Sequence, residues 1–179
     1  MALTTTINTA FGSQVVSKKS GLVLNNEMDD FVARPGEPNF FGLIGSEANS
    51  VAPGAVPLSS MTPTILRSPD GAELIAVGAS GGPFIISSTM QVIINIIDFK
   101  MDVSDAVSRP RMHHQWQPQV LFLEEGIPQD VHFLLQAKGH HTQQKSFYSS
   151  VQVVRKKGGR FEGASDPRKG GQPAAPAPQ

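Results

Sequence analysis

The sequence predicts an α+β fold built around an antiparallel sheet, and three observations lead there. Short runs rich in β-branched and apolar residues outnumber the segments with helical periodicity. The helical segments gather in the middle and later parts of the chain, and no internal repeat organises the 179 residues. The length suits one domain of ordinary size with room for a core.

Taken in order, Leu3-Thr4-Thr5-Thr6-Ile7-Asn8 reads as a strand, followed by a turn near Gly12. Gln14–Val16 and Leu22–Leu24 read as two short strands around a Ser17–Gly21 turn. Residues 34 to 57 carry several Gly and Pro with little periodicity, so they form a long loop of the kind that is often functional. Strands follow at Pro63–Arg67 and Glu73–Val77, joined by Ser68-Pro69-Asp70-Gly71. Gly78-Ala79-Ser80-Gly81-Gly82-Pro83 then opens a helix running to Phe99. Its apolar positions Ile85, Ile86, Met90, Ile93, Ile94 and Ile97 recur at helical spacing, so one face is expected to be buried.

A short helix is expected over Ser104–Ser108, ended by Pro110, and a strand over Val120–Leu123. Pro128–Lys138 reads as a helix with proline in its first turn and Gly139 past its end. Val151–Lys156 and Arg160–Gly163 suggest a hairpin across Gly158-Gly159. From Pro167 onward Gly, Pro, Ala and Gln dominate, and residues 169–179 are expected to form a disordered tail.

Composition narrows the function classes. Hydrophobic residues make up 39% but charged residues only 17%. Either a partner chain covers part of the surface, or a loop-rich protein uses Ser, Thr, Asn and Gln in place of charges. Lys plus Arg equals Asp plus Glu at 15 each, so no long-range field draws a polyanion and nucleic acid is not an expected partner. The absence of cysteine excludes disulfides, thiol nucleophiles and thiolate metal sites. Met1-Ala2-Leu3 lacks a basic and an apolar leader region, so no signal peptide is expected in this chain. The apolar run around Val92–Phe99, broken by Asn95 and Asp98, is too short to span a bilayer.

Three segments hold residue types that can do chemistry. Asn25-Asn26-Glu27-Met28-Asp29-Asp30 is dense in carboxylates and amides, flanked by Leu22, Leu24 and Phe31. It is either a solvated turn or a receptor for an ammonium group, held by charge-assisted hydrogen bonds. Ser59 and Ser60 lie between Pro57 and Pro63, where a restricted backbone could aim two hydroxyls at a carboxylate; a plain Ser-rich turn fits as well. Gly81 and Gly82 leave backbone N–H groups unobstructed at the positive end of a helix, which suits an oxyanion hole or merely a tight strand-to-helix turn. No Gly-Lys-Ser/Thr follows, so a nucleotide loop has little support. His113-His114 and His140-His141 are adjacent pairs that point to opposite faces and chelate poorly, and no Gly-x-Ser-x-Gly elbow exists.

Six stretches, in order, resemble the small C-terminal subunit of γ-glutamyltransferase (glutathione hydrolase). They are Thr4–Gly12, Gly21–Phe31, Pro57–Thr64, Gly78–Gly82, Pro110–Trp116 and Gly163–Arg168. The resemblance covers nearly all of residues 3 to 168, taken as the small-subunit part. It implies an N-terminal nucleophile hydrolase fold, a four-layer αββα sandwich, here expected to be incomplete at its N-terminus. In that family a precursor cleaves itself, and the new N-terminal threonine attacks the γ-glutamyl carbonyl with its own α-amine as base.

By the same resemblance, Asn8, Glu27 and Asp30 would hold the α-amino end of the γ-glutamyl group. Ser59 and Ser60 would bind its α-carboxylate, the amides of Gly81 and Gly82 would form the oxyanion hole, and Thr6 would orient the nucleophile. The implied partners are the large subunit of the same precursor and glutathione as substrate, with no cofactor. Family analogy suggests the periplasm or cell surface. The nucleophile's Thr-Thr-His motif would lie upstream of Thr6, where Met1-Ala2 stands. The 179 residues alone are therefore expected to be inactive and, with sheet edges unpaired, poorly soluble.

Overall fold

Ser68–Gly71 closes the first hairpin of the computed structural model, which describes residues 1–174. Strand β1 (Thr64–Arg67) pairs antiparallel with β2 (Glu73–Ser80). The turn is fixed by its own side chains: Glu73 N donates to Ser68 Oγ at 2.9 Å and Ala72 N to Asp70 Oδ1 at 3.0 Å. Two compact units divide the chain: residues 5–60, and Met1–Thr4 together with the chain from Met61 on.

In the second of these, β2 pairs with β6 (Ser150–Lys157), which turns through Gly158 and Gly159 into β7 (Arg160–Ser165). Both glycines have positive φ, 55° and 79°, which permits a type I′ turn matched to strand twist. The antiparallel sheet has the order β1-β2-β6-β7. Strand β2 runs three residues past the expected Val77 because Gly78, Ala79 and Ser80 pair with Gln152, Val151 and Ser150.

One sheet face is packed. Ile75, Val77 and Ala79 of β2, Val151 and Val153 of β6 and Ala164 of β7 meet two helices, α1 (Phe84–Ile97) and α2 (Val103–Ser108). Asp102 caps α2 by accepting from Asp105 N at 2.9 Å. Helix α1 does not bury the face that its isoleucines suggested. Ile86 and Met90 are 62% and 53% exposed, whereas Ile85, Ser88, Thr89, Val92 and Ile96 are buried. Ser88 and Thr89 are small enough for close approach to the sheet, and each hydroxyl finds a partner, in Ser149 and Thr62 respectively.

A smaller sheet holds β3 (Met112–His113), β4 (Leu121–Leu123) and β5 (Thr142–Gln144) in that order. β4 and β5 are parallel, with α3 (Gln129–Ala137) between them in the chain. This mixed sheet departs from the purely antiparallel expectation, since strands as short as β3 and β5 carry almost no periodic signal.

Residues 5–60 are mostly irregular. The expected strand at Leu3–Asn8 has no ladder partners and ends in a bend at Asn8, and the two short strands reduce to one bridge between Val16 and Val23. Two 3₁₀ turns, Glu27–Asp30 and Glu47–Asn49, are the only regular helical pieces described there. Of the tail expected to be disordered, residues 169–174 have no regular structure and residues 175–179 lie outside the described residues.

Candidate functional site

The turn between β2 and α1 is shaped by its glycines. Gly81 has φ +137° and Gly82 φ +58°, conformations that side-chain-bearing residues rarely adopt. Their carbonyls accept from Phe84 N at 3.3 Å and Ile85 N at 3.1 Å, starting the helix. Among the described residues neither Gly81 N nor Gly82 N donates a hydrogen bond. Two unpartnered amides thus stand at the positive end of a 14-residue helix, a setting that suits negative charge on oxygen. Contact decides the glycine at 81 as well: an added Cβ would lie 2.5 Å from Ser149 Cα.

Behind this turn lies a buried polar network that sequence reasoning missed. Arg111 and Asp166, each 1% exposed, pair at 2.6 Å. Asp166 also accepts from Val151 N at 2.9 Å and Arg168 N at 3.1 Å. Arg168 reaches both carboxylate oxygens of Glu124, and Glu124 accepts from Arg111 N at 3.0 Å. Burial alone would raise the Asp166 pKa, but the two amides and the Arg111 guanidinium hold it below the ordinary carboxylate value. Burial lowers the Arg111 pKa despite the Asp166 contact. Arg111 lies in Pro110–Trp116, and Asp166 and Arg168 lie in Gly163–Arg168, stretches that carry the resemblance without an implied role for these residues, whereas Glu124 lies in neither.

The first histidine pair splits as alternation requires, whereas His140 and His141 are both exposed. His113 is buried and His114 exposed. Ser87 Oγ lies 2.8 Å from His113 Nδ1, and Gln115 Oε1 3.0 Å from Nε2. Burial holds the His113 pKa below the usual imidazole value; the Gln115 contact opposes it, and the charges of Lys145 and His114 add smaller pushes downward. Among the described residues no group of three or more His, Asp or Glu is placed to hold a metal.

Within residues 5–60 the structure brings Thr6, Asn8 and the acidic turn together. Asn8 is buried with φ +58°, its N–H donates to Thr6 Oγ1 at 2.8 Å, and its side-chain amide reaches Asn26 O at 3.4 Å. Thr6 Oγ therefore accepts from the backbone and keeps its own proton for another acceptor. Asn26 leads directly into the Glu27–Asp30 turn, whose rear is tied by Asn49 Nδ2 donating to Asp30 O at 2.8 Å.

Burial first, then hydrogen bonding and charge repulsion from Asp30, raise the Glu27 pKa. Glu27 Oε1 and Asp29 Oδ2 are buried without a hydrogen-bond partner. Buried carboxylate oxygens crowded in this way favour an added cation. Ser59 and Ser60 are exposed on an irregular segment, and among the described residues no hydrogen bond engages either hydroxyl. Gly81 and Gly82 belong to the other unit.

Solved structures similar to this chain share its fold, and they define the class of protein as an N-terminal nucleophile hydrolase. A crystal structure of a Helicobacter pylori gamma-glutamyltranspeptidase mutant matches with TM-score 0.87 and 42% identity, covering 93% of this chain and 92% of that one. The family model described as gamma-glutamyltranspeptidase matches residues 1–176, and the chain belongs to that family.

Among curated relatives, the glutathione hydrolase proenzyme of Escherichia coli K12 is 45% identical over 169 residues, covering 94% of this chain. The chain spans only 29% of that relative's length. Scoloptoxin SSD20 of Scolopendra dehaani is 37% identical over 173 residues, and there the match covers 96% of this chain and 87% of the relative.

Proposed function

We propose that this chain is the C-terminal part of an enzyme that moves the γ-glutamyl group of glutathione and related amides to water or to an amine acceptor. The observation that carries the reading is the pair of unpartnered amides at Gly81 and Gly82, in a chain that belongs to the gamma-glutamyltranspeptidase family. A threonine hydroxyl, supplied upstream of these residues, attacks the γ-carbonyl while its α-amine takes the proton. Charge that develops on the carbonyl oxygen meets the two glycine amides. The leaving amine departs with that proton, and water or an acceptor amine then opens the γ-glutamyl ester.

The other residues follow from charge. Glu27 and Asp30 receive the substrate α-ammonium, with the Asn8 side-chain oxygen accepting beside them. Ser59 and Ser60 donate to its α-carboxylate. Thr6, whose oxygen already accepts from Asn8 N, donates its proton to the nucleophile's oxygen. The partner is the large subunit of the same precursor. Thr4, Thr5 and Thr6 lie within the chain and carry no free α-amine, so the 179 residues alone turn nothing over.

The test is turnover of γ-glutamyl-p-nitroanilide by the complete reading frame and by the 179-residue chain. Activity in the first only supports the proposal; activity in the chain alone refutes it. One observation favours a second reading, a non-catalytic γ-glutamyl-binding or interaction protein: the match spans 87% of scoloptoxin SSD20, a relative of similar length. Glutathione binding by the isolated chain in calorimetry would favour that reading.

A further inference from the structure

The amides of Gly81 and Gly82 are useful to a developing oxyanion only if their position is fixed, and one residue packs closely against Gly81. A Cβ on Gly81 would stand 2.5 Å from Ser149 Cα and 2.6 Å from Ser149 Cβ, so the turn rests on that residue. Ser149 is fully buried. Its hydroxyl lies 2.6 Å from Ser88 Oγ, on the second turn of the helix that Gly81 and Gly82 open. Arg111 Nη1 donates to the same oxygen at 3.5 Å. Two residues further along, Val151 N is anchored by Asp166, which also clamps Arg111. Ser149 is therefore tied forward to α1 and backward to the charged network, and Gly81 sits between the two ties.

We propose that Ser149, with Ser88, is a positioning residue for the amide pair of Gly81 and Gly82. It touches no substrate and acts through the turn. The Ser88–Ser149 contact joins the start of β6 to α1 and so sets where the two N–H groups point. This inference rests on the proposed function, in which that pair stabilises the oxyanion.

The variants are Ser149→Ala, Ser88→Ala and the double mutant in the complete enzyme. Each single change keeps Cβ and the packing against Gly81 but removes the hydroxyl tie. The expected kcat loss is roughly tenfold, below the ~100-fold cost of a 1 Å misplacement. KM for the γ-glutamyl donor should stay within about twofold, because the loss is confined to the transition state. The double mutant should be no worse than either single mutant, since the two hydroxyls act as one unit. TROSY spectra of ¹⁵N-glycine-labelled, deuterated protein read the turn without turnover, and the Gly81 and Gly82 resonances should shift or broaden in all three variants.

Unchanged glycine resonances together with wild-type kcat would overturn the proposal, as would a rise in KM alone. If the wild-type enzyme shows no γ-glutamyl turnover, the functional reading fails by itself. The glycine spectra then still decide whether Ser149 and Ser88 hold the turn.

Discussion

Replacing Asp166 by asparagine tests the buried network most directly. The substitution keeps shape and removes one negative charge. The native carboxylate accepts from Arg111 Nη2 at 2.6 Å, Val151 N at 2.9 Å, Arg168 Nη1 at 2.9 Å and Arg168 N at 3.1 Å. A side-chain amide in its place could not match that set, and it would leave the Arg111 guanidinium, 1% exposed, without its counter-charge. Breaking a buried pair from one side costs about 3–5 kcal/mol, mostly the penalty of the charge left behind. For a domain of this size that corresponds to a fall in Tm of roughly 6–20 °C.

The assay is thermal and urea unfolding followed by circular dichroism, with Lys157→Ala as the comparison. Lys157 pairs with Glu73 at 3.4 Å but is 57% exposed, so its loss should cost no more than about 1 kcal/mol. The sign with pH follows from the lowered Asp166 pKa. Its contribution is fully present above the ordinary value of 3.8 and disappears as pH falls through the lower folded value. A loss below about 1 kcal/mol in Asp166→Asn would mean that Arg111 finds solvent or another partner, and the reasoning would fail.

Other outcomes follow from the same geometry. The His113 pKa is lowered by burial, so the folded state prefers neutral imidazole and stability should fall as pH drops below about 6.5. Urea midpoints from about pH 7 to about pH 5 should show a shallower slope in His113→Phe. Gly81→Ala should reduce kcat about 10²- to 10³-fold in the complete enzyme, the cost of losing an oxyanion donor, with little change in KM. Asp30→Asn should raise KM for the γ-glutamyl donor roughly 10- to 100-fold, as expected for a hydrogen bond to a charged group. Ile96→Ala should cost about 2–5 kcal/mol in chemical denaturation, because Ile96 is among the residues packed between α1 and the sheet.

The parts of the fold legible in the sequence were those with local causes. Ser68–Gly71 and Gly158-Gly159 announced two hairpins because turn chemistry depends on a few adjacent residues. The start of α1 was legible for the same reason, and so was the amide pair at Gly81 and Gly82. The network of Arg111, Glu124, Asp166 and Arg168 was not legible, because its members lie up to 57 residues apart, as their numbers 111 and 168 give by subtraction. No periodic signal links residues at that separation. The strand expected over Leu3–Asn8 failed for a related reason. β-Branched composition favours extended chain, but a strand also needs a partner edge, and composition says nothing about whether one is present.

The error over α1 has a physical meaning of its own. Ile86 and Met90 are as apolar as the residues that are buried, so the helix is hydrophobic around most of its circumference, the pattern of a helix covered on several sides. The sheet repeats the pattern. One face holds the core, while Ile65, Leu74, Val154 and Phe161 remain exposed on the ladder positions facing the other way. A sheet apolar on both faces is built to lie between two layers. A charged fraction of only 17% fits the same picture, since covered surface has little use for charge. Helix, sheet and composition thus all fit the proposed partnership with a large subunit, which would cover this surface.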